Sequence, residues 1–430
     1  MLRVADVGVL REERMAIRAR IASGVLIVSM AVAARLVLAA AAGFHPPKPL
    51  EYSVIAEHLN AGQGFAFEQY GVTYRAWKEP LYIYMLAAVM RMAPGSGTAL
   101  LMLHGAFGAL AALGVAWLAW LIYQDQRIAT LAGLIAALNP FLVTYDARWV
   151  HPLSLDSLLF VLMSGTILWA AQQPRGVMGR SVLAGLVAGI ALWQRSTLLI
   201  AGLSAWMAAV WLMRGTRAAM LRGLGVWLVT SLLIISPWLI RNYALFDRVL
   251  MTTDAAHVMW LGNNPASNGT YSDSSGRRVI EFADAALSQQ LASASEIGQA
   301  DAFAGAAFQF IADHPGRFAQ LTLRRLWAFV WFSPNAGVDY APWQDAIYRL
   351  TYLASLVAGI WGGSLFWRRA GDGARRAILI LVASVAGIAA VHAVTAINLK
   401  HRVPLELLLA VCAAESLRWC LRRGFAKIQV

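Results

Sequence analysis

Apolar stretches long enough to cross a bilayer, roughly 17–25 residues each, recur ten times along this chain, at 21–43, 97–122, 128–146, 154–172, 180–195, 197–213, 220–240, 347–367, 376–396 and 403–420. Hydrocarbon offers the backbone no hydrogen-bond partner, so such runs must be helices or closed barrels, and their length selects helices. The expectation is an all-α polytopic membrane protein with about ten transmembrane helices. Composition agrees: 59% of residues are hydrophobic and 14% charged, against about a quarter charged in soluble domains. The net charge of +13 does not indicate a nucleic-acid partner, because the arginines are spread over short connectors and do not gather on one domain. The first run follows a polar, Arg-containing start and ends without a small-residue cleavage site, so it reads as a retained anchor. Cys412 and Cys420 both fall in the last run and read as lipid-depth thiols, not as a disulfide framework or a metal site.

Positive charge sets the orientation. Arg3 to Arg20, Arg127, Arg175, Arg180, the connector from Arg214 to Arg222, Arg368 to Arg376, Arg422 and Arg423 fall on one side, which reads as cytoplasmic together with both termini. The connectors 44–96, 146–152, 241–346 and 398–402 then face outward. Pro80 to Met92 is too short to cross and reads as interfacial, since counting it as a span would put Arg127 outside. Residues 1–430 read as one membrane domain, in which 44–96 is a first outward loop with interfacial helices and 241–346 a partly helical outward segment. In the loop, Tyr52, Ile55, Ala56 and Leu59 share one helical face while Glu51 and His58 share another, as in a short helix on the membrane surface. In the long segment, a turn-rich stretch from Gly262 to Gly269 precedes a helix from about Glu281 to Asp313 and an amphipathic piece from Phe318 to Trp331.

The outward ionisable residues are the candidates for chemistry. Glu51 sits at the first turn of the surface helix, just after Pro46, Pro47 and Pro49. A carboxylate there serves either as a general base on an acceptor hydroxyl or amine, or as a favourable charge at the positive helix end, at about 0.3–1 kcal/mol. Asp156, two residues after a capping Ser154, is equally a site residue or an inexpensive first-turn acid. Asp146, Arg148 and His151 crowd the same turn, where a local Asp146–Arg148 ion pair explains the first two as well as a site does. Arg75, Lys78, Arg241 and the run Lys400-His401-Arg402 offer cations to a lipid phosphate or diphosphate, Arg as a planar fork and Lys as a point charge. Ordinary binding of anionic headgroups uses the same residues. Arg195, flanked by apolar sequence, marks a helix break at a cavity or snorkels from a helix end. His104 and His392 lack a second ligand at i+4, so structural hydrogen bonds suit them better than a metal. Without a phosphate loop, a dinucleotide fingerprint or a zinc pattern, a soluble nucleotide-dependent engine is excluded.

Several segments taken in order resemble the bacterial polyprenyl-phosphate-dependent glycosyltransferases of the GT-C fold, the family-39 group of protein mannosyltransferases and the aminoarabinose transferase of lipid A. They are EYSVIAEHLNAGQGF at 51–65, KEPLYIY at 78–84, LNPFLVTYDARW at 138–149 with SLDSLLF at 154–160, GIALWQRSTLL at 189–199, SPWLIRNYALF at 236–246 with MWLGNNPASNG at 259–269, and HRVPLELLLA at 401–410. The resemblance implies transfer of a sugar, with inversion, from a polyprenyl-phosphate donor to a lipid, glycan or protein acceptor on the outer face of a bacterial cytoplasmic membrane. It requires no soluble cofactor, and no ligand set in the sequence demands the divalent metal it would tolerate. The family's first outward loop carries a catalytic Asp four residues before the position of Tyr52; here that position is Lys48. Glu51 matches the second acidic position of the loop and is the implied base, with Lys48 as a phosphate contact. Asp156 matches the acid at the start of the corresponding helix, implied to position acceptor or metal. Tyr52, Lys78, Glu79, Arg195, Arg241 and Arg402 fall in matching segments as implied substrate contacts.

Other classes share ten spans. A transporter or flippase for a lipid-linked sugar predicts mid-membrane charges and inverted repeats, whereas the charges here cluster at outward helix ends and no repeat stands out. A catalytically inactive accessory protein of the same fold is suggested by Lys48. A polysaccharide polymerase or ligase, with a lipid-diphosphate donor, has similar charge patterns.

Overall fold

The computed structural model describes residues 4–41, 43, 45, 47–272, 285–332 and 342–428. Helix α1 (Val4–Ala41) leads to α2 (Glu51–Asn60), a hairpin of β1 (Phe67–Gln69) and β2 (Val72–Tyr74), and α3 (Pro80–Met92). The bundle continues with α4 (Gly97–Tyr123), α5 (Gln126–Ala137), α6 (Pro140–Arg148), α7 (Leu153–Gln172), α8 (Val177–Gln194), α9 (Leu198–Leu212) and α10 (Arg217–Phe246). A long connector carries α11 (Asp254–Gly262), α12 (Ala285–Ser293), α13 (Glu296–Asp313) and α14 (Pro315–Val330), before α15 (Pro342–Arg369), α16 (Asp372–Val394) and α17 (Val403–Ile428). Apart from one small hairpin, this is an all-α polytopic membrane protein.

The ten apolar runs are all helical, but they are not ten equal crossings. Seven of the described helices, α1, α4, α7, α8, α10, α15 and α16, contain stretches long and apolar enough to span. The run expected as one span over 128–146 is α5 and α6, bent by 44°. Pro140 cannot donate a backbone hydrogen bond and disfavours helical geometry at the residue before it. Asn139 then starts a new helix, its side chain accepting from Phe141 N and Leu142 N at 3.0 Å each. We expect Asn139→Ala to cost about 1–2 kcal/mol, read as a lowered unfolding midpoint of the solubilised protein; an unchanged midpoint would show that the break holds without its cap. Helix α9 has only 15 residues, and α17 carries Glu406, Glu415 and Arg418 within its apolar stretch. The helix expected from Glu281 to Asp313 is two, α12 and α13, parted where Ser295 caps α13 by accepting from Gly298 N at 3.3 Å; residues 281–284 lie outside the described ones. Ser154 does not cap α7, because its hydroxyl donates to Asp146 Oδ2 at 2.7 Å.

Lipid gives no hydrophobic drive for helices to associate, so close packing must come from small residues. A side chain at Gly185 or Gly189 of α8 would run into Thr230 and Ile234 of α10, and one at Gly359 or Gly362 of α15 into Leu409 and Cys412 of α17. At one end of the bundle the C-termini of α1, α6, α8, α10 and α16 meet the N-termini of α4, α7, α9, α15 and α17, and α2, α3, the hairpin and α11 to α14 gather there. Helix α2 lies as its pattern predicts, with Tyr52, Ile55 and Ala56 buried.

Candidate active site

Two adjoining recesses at this end gather ionisable side chains. The larger, about 430 Å³, is polar: Glu51, Lys78, Asp254, His257, Tyr70, Tyr271, Asn398 and Lys400 line it with the Trp77 ring. The smaller, about 50 Å³, is mostly apolar, its Leu153, Phe160, Leu198, Ile388 and Val403 sharing the wall with Asp156, Arg195, His392, His401 and Lys400. Lys400 belongs to both. A third cavity of about 220 Å³, between α1, α6 and α15, is lined by no carboxylate, amine or imidazole.

In the polar cavity, Glu51 opens α2, whose first turn is tied by the Ser53 hydroxyl accepting from Leu50 N at 3.2 Å. Lys78 stands between two acids, its Nζ 3.3 Å from Glu51 Oε1 and 2.5 Å from Asp254 Oδ2. Burial works against the Lys78 ammonium, but Asp254 and Glu51 outweigh it and hold its pKa well above the ordinary lysine value. Burial likewise opposes ionisation of Asp254, and Lys78 and His257 together outweigh it, holding the carboxyl well below the usual carboxylate range. Glu296 of α13 fixes this juxtaposition: its carboxylate accepts from Arg75 N at 2.6 Å, Ala76 N at 3.0 Å and the Thr253 hydroxyl at 2.8 Å. The hairpin tip closes one side, with Tyr70 (φ 49°) and Gly71 (φ 75°) both left-handed, as a two-residue hairpin turn of this kind requires. Tyr70 OH lies 3.1 Å from His257 Nε2.

Beside the apolar pocket, Asp156 in the first turn of α7 is gripped from the end of α8. Gln194 Nε2 donates to its Oδ1 at 2.7 Å, and Arg195 Nε to its Oδ2 at 3.0 Å, with Arg195 Nη2 a second donor to the same oxygen. Arg195 has left the helix, with φ −155° and ψ 107°, so of its two readings the break at a cavity is the one found. Glu79 serves the same corner without lining either recess: its Oε1 accepts from Ser196 N and Oγ at 2.8 Å each.

The other expected contacts lie elsewhere. Lys48 is exposed, paired through its backbone with the Trp149 strip, and its ammonium sits 5.4 Å above the Trp149 ring. Tyr52 is buried, edge-on to Tyr82 and His151 at 5.6 Å each. Arg241 donates to Asn242 Oδ1 at 2.7 Å and stacks on Trp238. Arg402 is fully buried, bonded to Glu406 Oε1 at 3.2 Å and Trp331 O at 3.2 Å, so it braces α17 and does not line either recess. The expected Asp146–Arg148 pair is not formed: Asp146 pairs with Arg35 of α1, Nε to Oδ2 2.7 Å, and Arg148 reaches Gln344. His104 and His392 make structural bonds, to Asp146 O at 3.0 Å and Ala396 O at 3.2 Å.

Asp254 and His257 are the site residues that sequence reasoning passed over. Their signal is local, the helix start TTDAAH at 252–257, with an acid in the first turn and a histidine one turn later. Among the described residues no group of three or more His, Cys, Asp or Glu is arranged to hold a metal ion.

No protein-family model and no curated protein sequence matches the chain. Among solved structures it is similar to the oligosaccharyltransferase of Archaeoglobus fulgidus in complex with Zn and sulfate, with TM-score 0.54 and 14% identity over 93% of this chain and 49% of that one. The chain thus spans about half the length of that enzyme. It also aligns with ArnT from Cupriavidus metallidurans bound to undecaprenyl phosphate, at TM-score 0.43 and 14% identity over 93% of this chain and 77% of that one. The likeness to the oligosaccharyltransferase is one of fold, and the fold of this chain is GT-C-like.

Proposed function

We propose that the chain is a membrane glycosyltransferase that moves a sugar, with inversion, from a polyprenyl-phosphate donor to a lipid, glycan or protein acceptor at the outer face of a bacterial cytoplasmic membrane. The observation that carries this reading is the adjacency of a polar, carboxylate-bearing cavity to an apolar pocket at one end of the bundle. A lipid-linked sugar has that same division, a polar head and an apolar chain joined at a phosphate. The arginine distribution supports an outward site with both termini inside.

In this reading Glu51 takes the proton of the acceptor hydroxyl or amine, and the acceptor atom attacks the anomeric carbon from the face opposite the phosphate. The bond from that carbon to the phosphate oxygen breaks, and its electron pair leaves with the prenyl phosphate. Asp156 orients Arg195, whose charge stabilises the departing group in a site of low dielectric. Lys78 places Glu51, Glu79 fixes the corner that carries Arg195, and the buried Tyr52 ring backs Lys78, 5.9 Å from its Nζ. Lys48, Arg241 and Arg402 have no contact with the reacting atoms in this reading.

The position of Lys48 favours a second reading, an inactive protein that binds a lipid-linked sugar. Glycan and lipid profiling by mass spectrometry of a deletion strain tests both. Loss of one sugar from one envelope glycan, restored by the wild-type gene, is expected, and an unchanged profile would end the transferase reading.

A further inference from the structure

Among the described residues three cations line the two recesses, and two of them are held in ion pairs. Lys78 has Glu51 and Asp254, and Arg195 has Asp156. Lys400 has no carboxylate within ion-pair distance among the described residues. Its Nζ lies 3.3 Å from His151 Nε2, which uses one of its three donors. The short 3-10 turn Leu399–Arg402 that carries it is pinned on both sides: Asn398 Oδ1 accepts from Lys400 N at 3.2 Å, and His401 Nδ1 from Asn398 N at 3.2 Å. The His401 ring stacks on His392 at 3.6 Å between centroids. The ammonium is therefore held in place at the wall shared by the polar cavity and the apolar pocket.

Resting on the glycosyltransferase reading, we infer that Lys400 is a ligand of the donor's phosphate. The phosphate is the junction between polar head and apolar chain, and Lys400 is the cation common to the two recesses. With its two remaining donors it meets one phosphate group.

The electrostatics agree. Burial, with repulsion from Arg195 and Lys78, brings the Lys400 pKa down to about 8, as for a cation awaiting its counter-ion. The ionisable groups acting on it are Arg195, Lys78, Glu51, Asp156, His151, His392 and His401. Burial and the neighbouring cations hold His151 and His401 well below the ordinary histidine value, so both are neutral above pH 7. Lys78 stays charged. A phosphate restores the Lys400 charge, so binding takes up a proton above pH 8 and weakens as pH rises.

The test is binding to the full chain in phosphatidylcholine nanodiscs, with undecaprenyl phosphate, undecaprenol and inorganic phosphate as probes. Lys400→Met is expected to weaken undecaprenyl phosphate about 10- to 100-fold, the range of a charge-assisted hydrogen bond, and to leave undecaprenol unchanged, while Lys400→Arg keeps most of the affinity. Wild type should lose about tenfold for undecaprenyl phosphate between pH 7 and 9. The wild-type measurements decide the matter even if Lys400→Met fails to fold. Equal affinity of wild type and Lys400→Met, a flat pH profile, or equal loss of undecaprenol overturns the assignment. Inorganic phosphate binding as tightly as the lipid would make this a plain anion site and refute the lipid assignment. Absence of any wild-type affinity for undecaprenyl phosphate would instead sink the transferase reading itself.

Discussion

Cells carrying Glu51→Gln should make and insert the protein normally and lose at least about 10²-fold of its transfer activity, the usual contribution of a positioned base. Three carboxylates line the recesses, and they are not equally free to accept a proton. Asp156 is bound by Arg195 and by Gln194, and Asp254 lies 2.5 Å from Lys78 with its carboxyl held well below the usual range. Glu51 is 3.3 Å from the same lysine, is 27% exposed and lines the polar cavity, so an acceptor reaches it. The glutamine variant keeps the size and loses the proton acceptor, and Lys78 keeps Asp254 as counter-ion, so folding is preserved. The result that would sink the assignment is wild-type product from Glu51→Gln cells. A matching loss in Asp254→Asn with none in Glu51→Gln would move the base to the other side of Lys78.

The largest stability effect is expected at Arg35, which lines neither recess. Its side chain and that of Asp146 are 2% and 1% exposed. Arg35 Nε donates to Asp146 Oδ2 at 2.7 Å, and Nη1 donates to Ala31 O at 2.8 Å. The same Asp146 oxygen accepts from Ser154, and the Asp146 carbonyl accepts from His104, so one residue ties α1, α4, α6 and α7 together below the site. Arg35→Met leaves a buried carboxylate with no counter-ion, at a cost of about 3–5 kcal/mol. Adding Asp146→Asn removes the stranded charge, and the double variant should recover most of the loss, because a buried pair as a whole contributes little once desolvation is counted. Unfolding midpoints of the four proteins in one detergent measure this cycle. A mild Arg35→Met phenotype, or a double variant no better than the single one, would show that the pair is reached by water and screened.

Much of the fold was legible because membrane helices are written locally. Run lengths, the Pro140 break with its Asn139 cap, and the buried face of α2 all follow from residues within a few turns of one another. The break was nonetheless read through, because hydropathy averages over a window and the Asn-Pro pair interrupts it for only two residues. The candidate site was legible in part: Glu51, Lys78, Asp156 and Arg195 do converge on two adjoining recesses, while Lys48, Arg241 and Arg402 do not line them. A charge at a helix end looks the same in sequence whether it faces a cavity or braces a neighbouring helix.

Sequence alone determined that this is a helical membrane body and which connectors gather at one end, since hydrophobicity and chain direction settle both without long-range information. Only tertiary structure decided which charges meet. Arg35 finds Asp146 across 111 positions, Lys78 finds Asp254 across 176, and Lys400 finds His151 across 249. No local pattern encodes these separations, because each pairing is a by-product of how the helices pack, and in lipid that packing is chosen by small residues and buried polar partners spread over the whole chain.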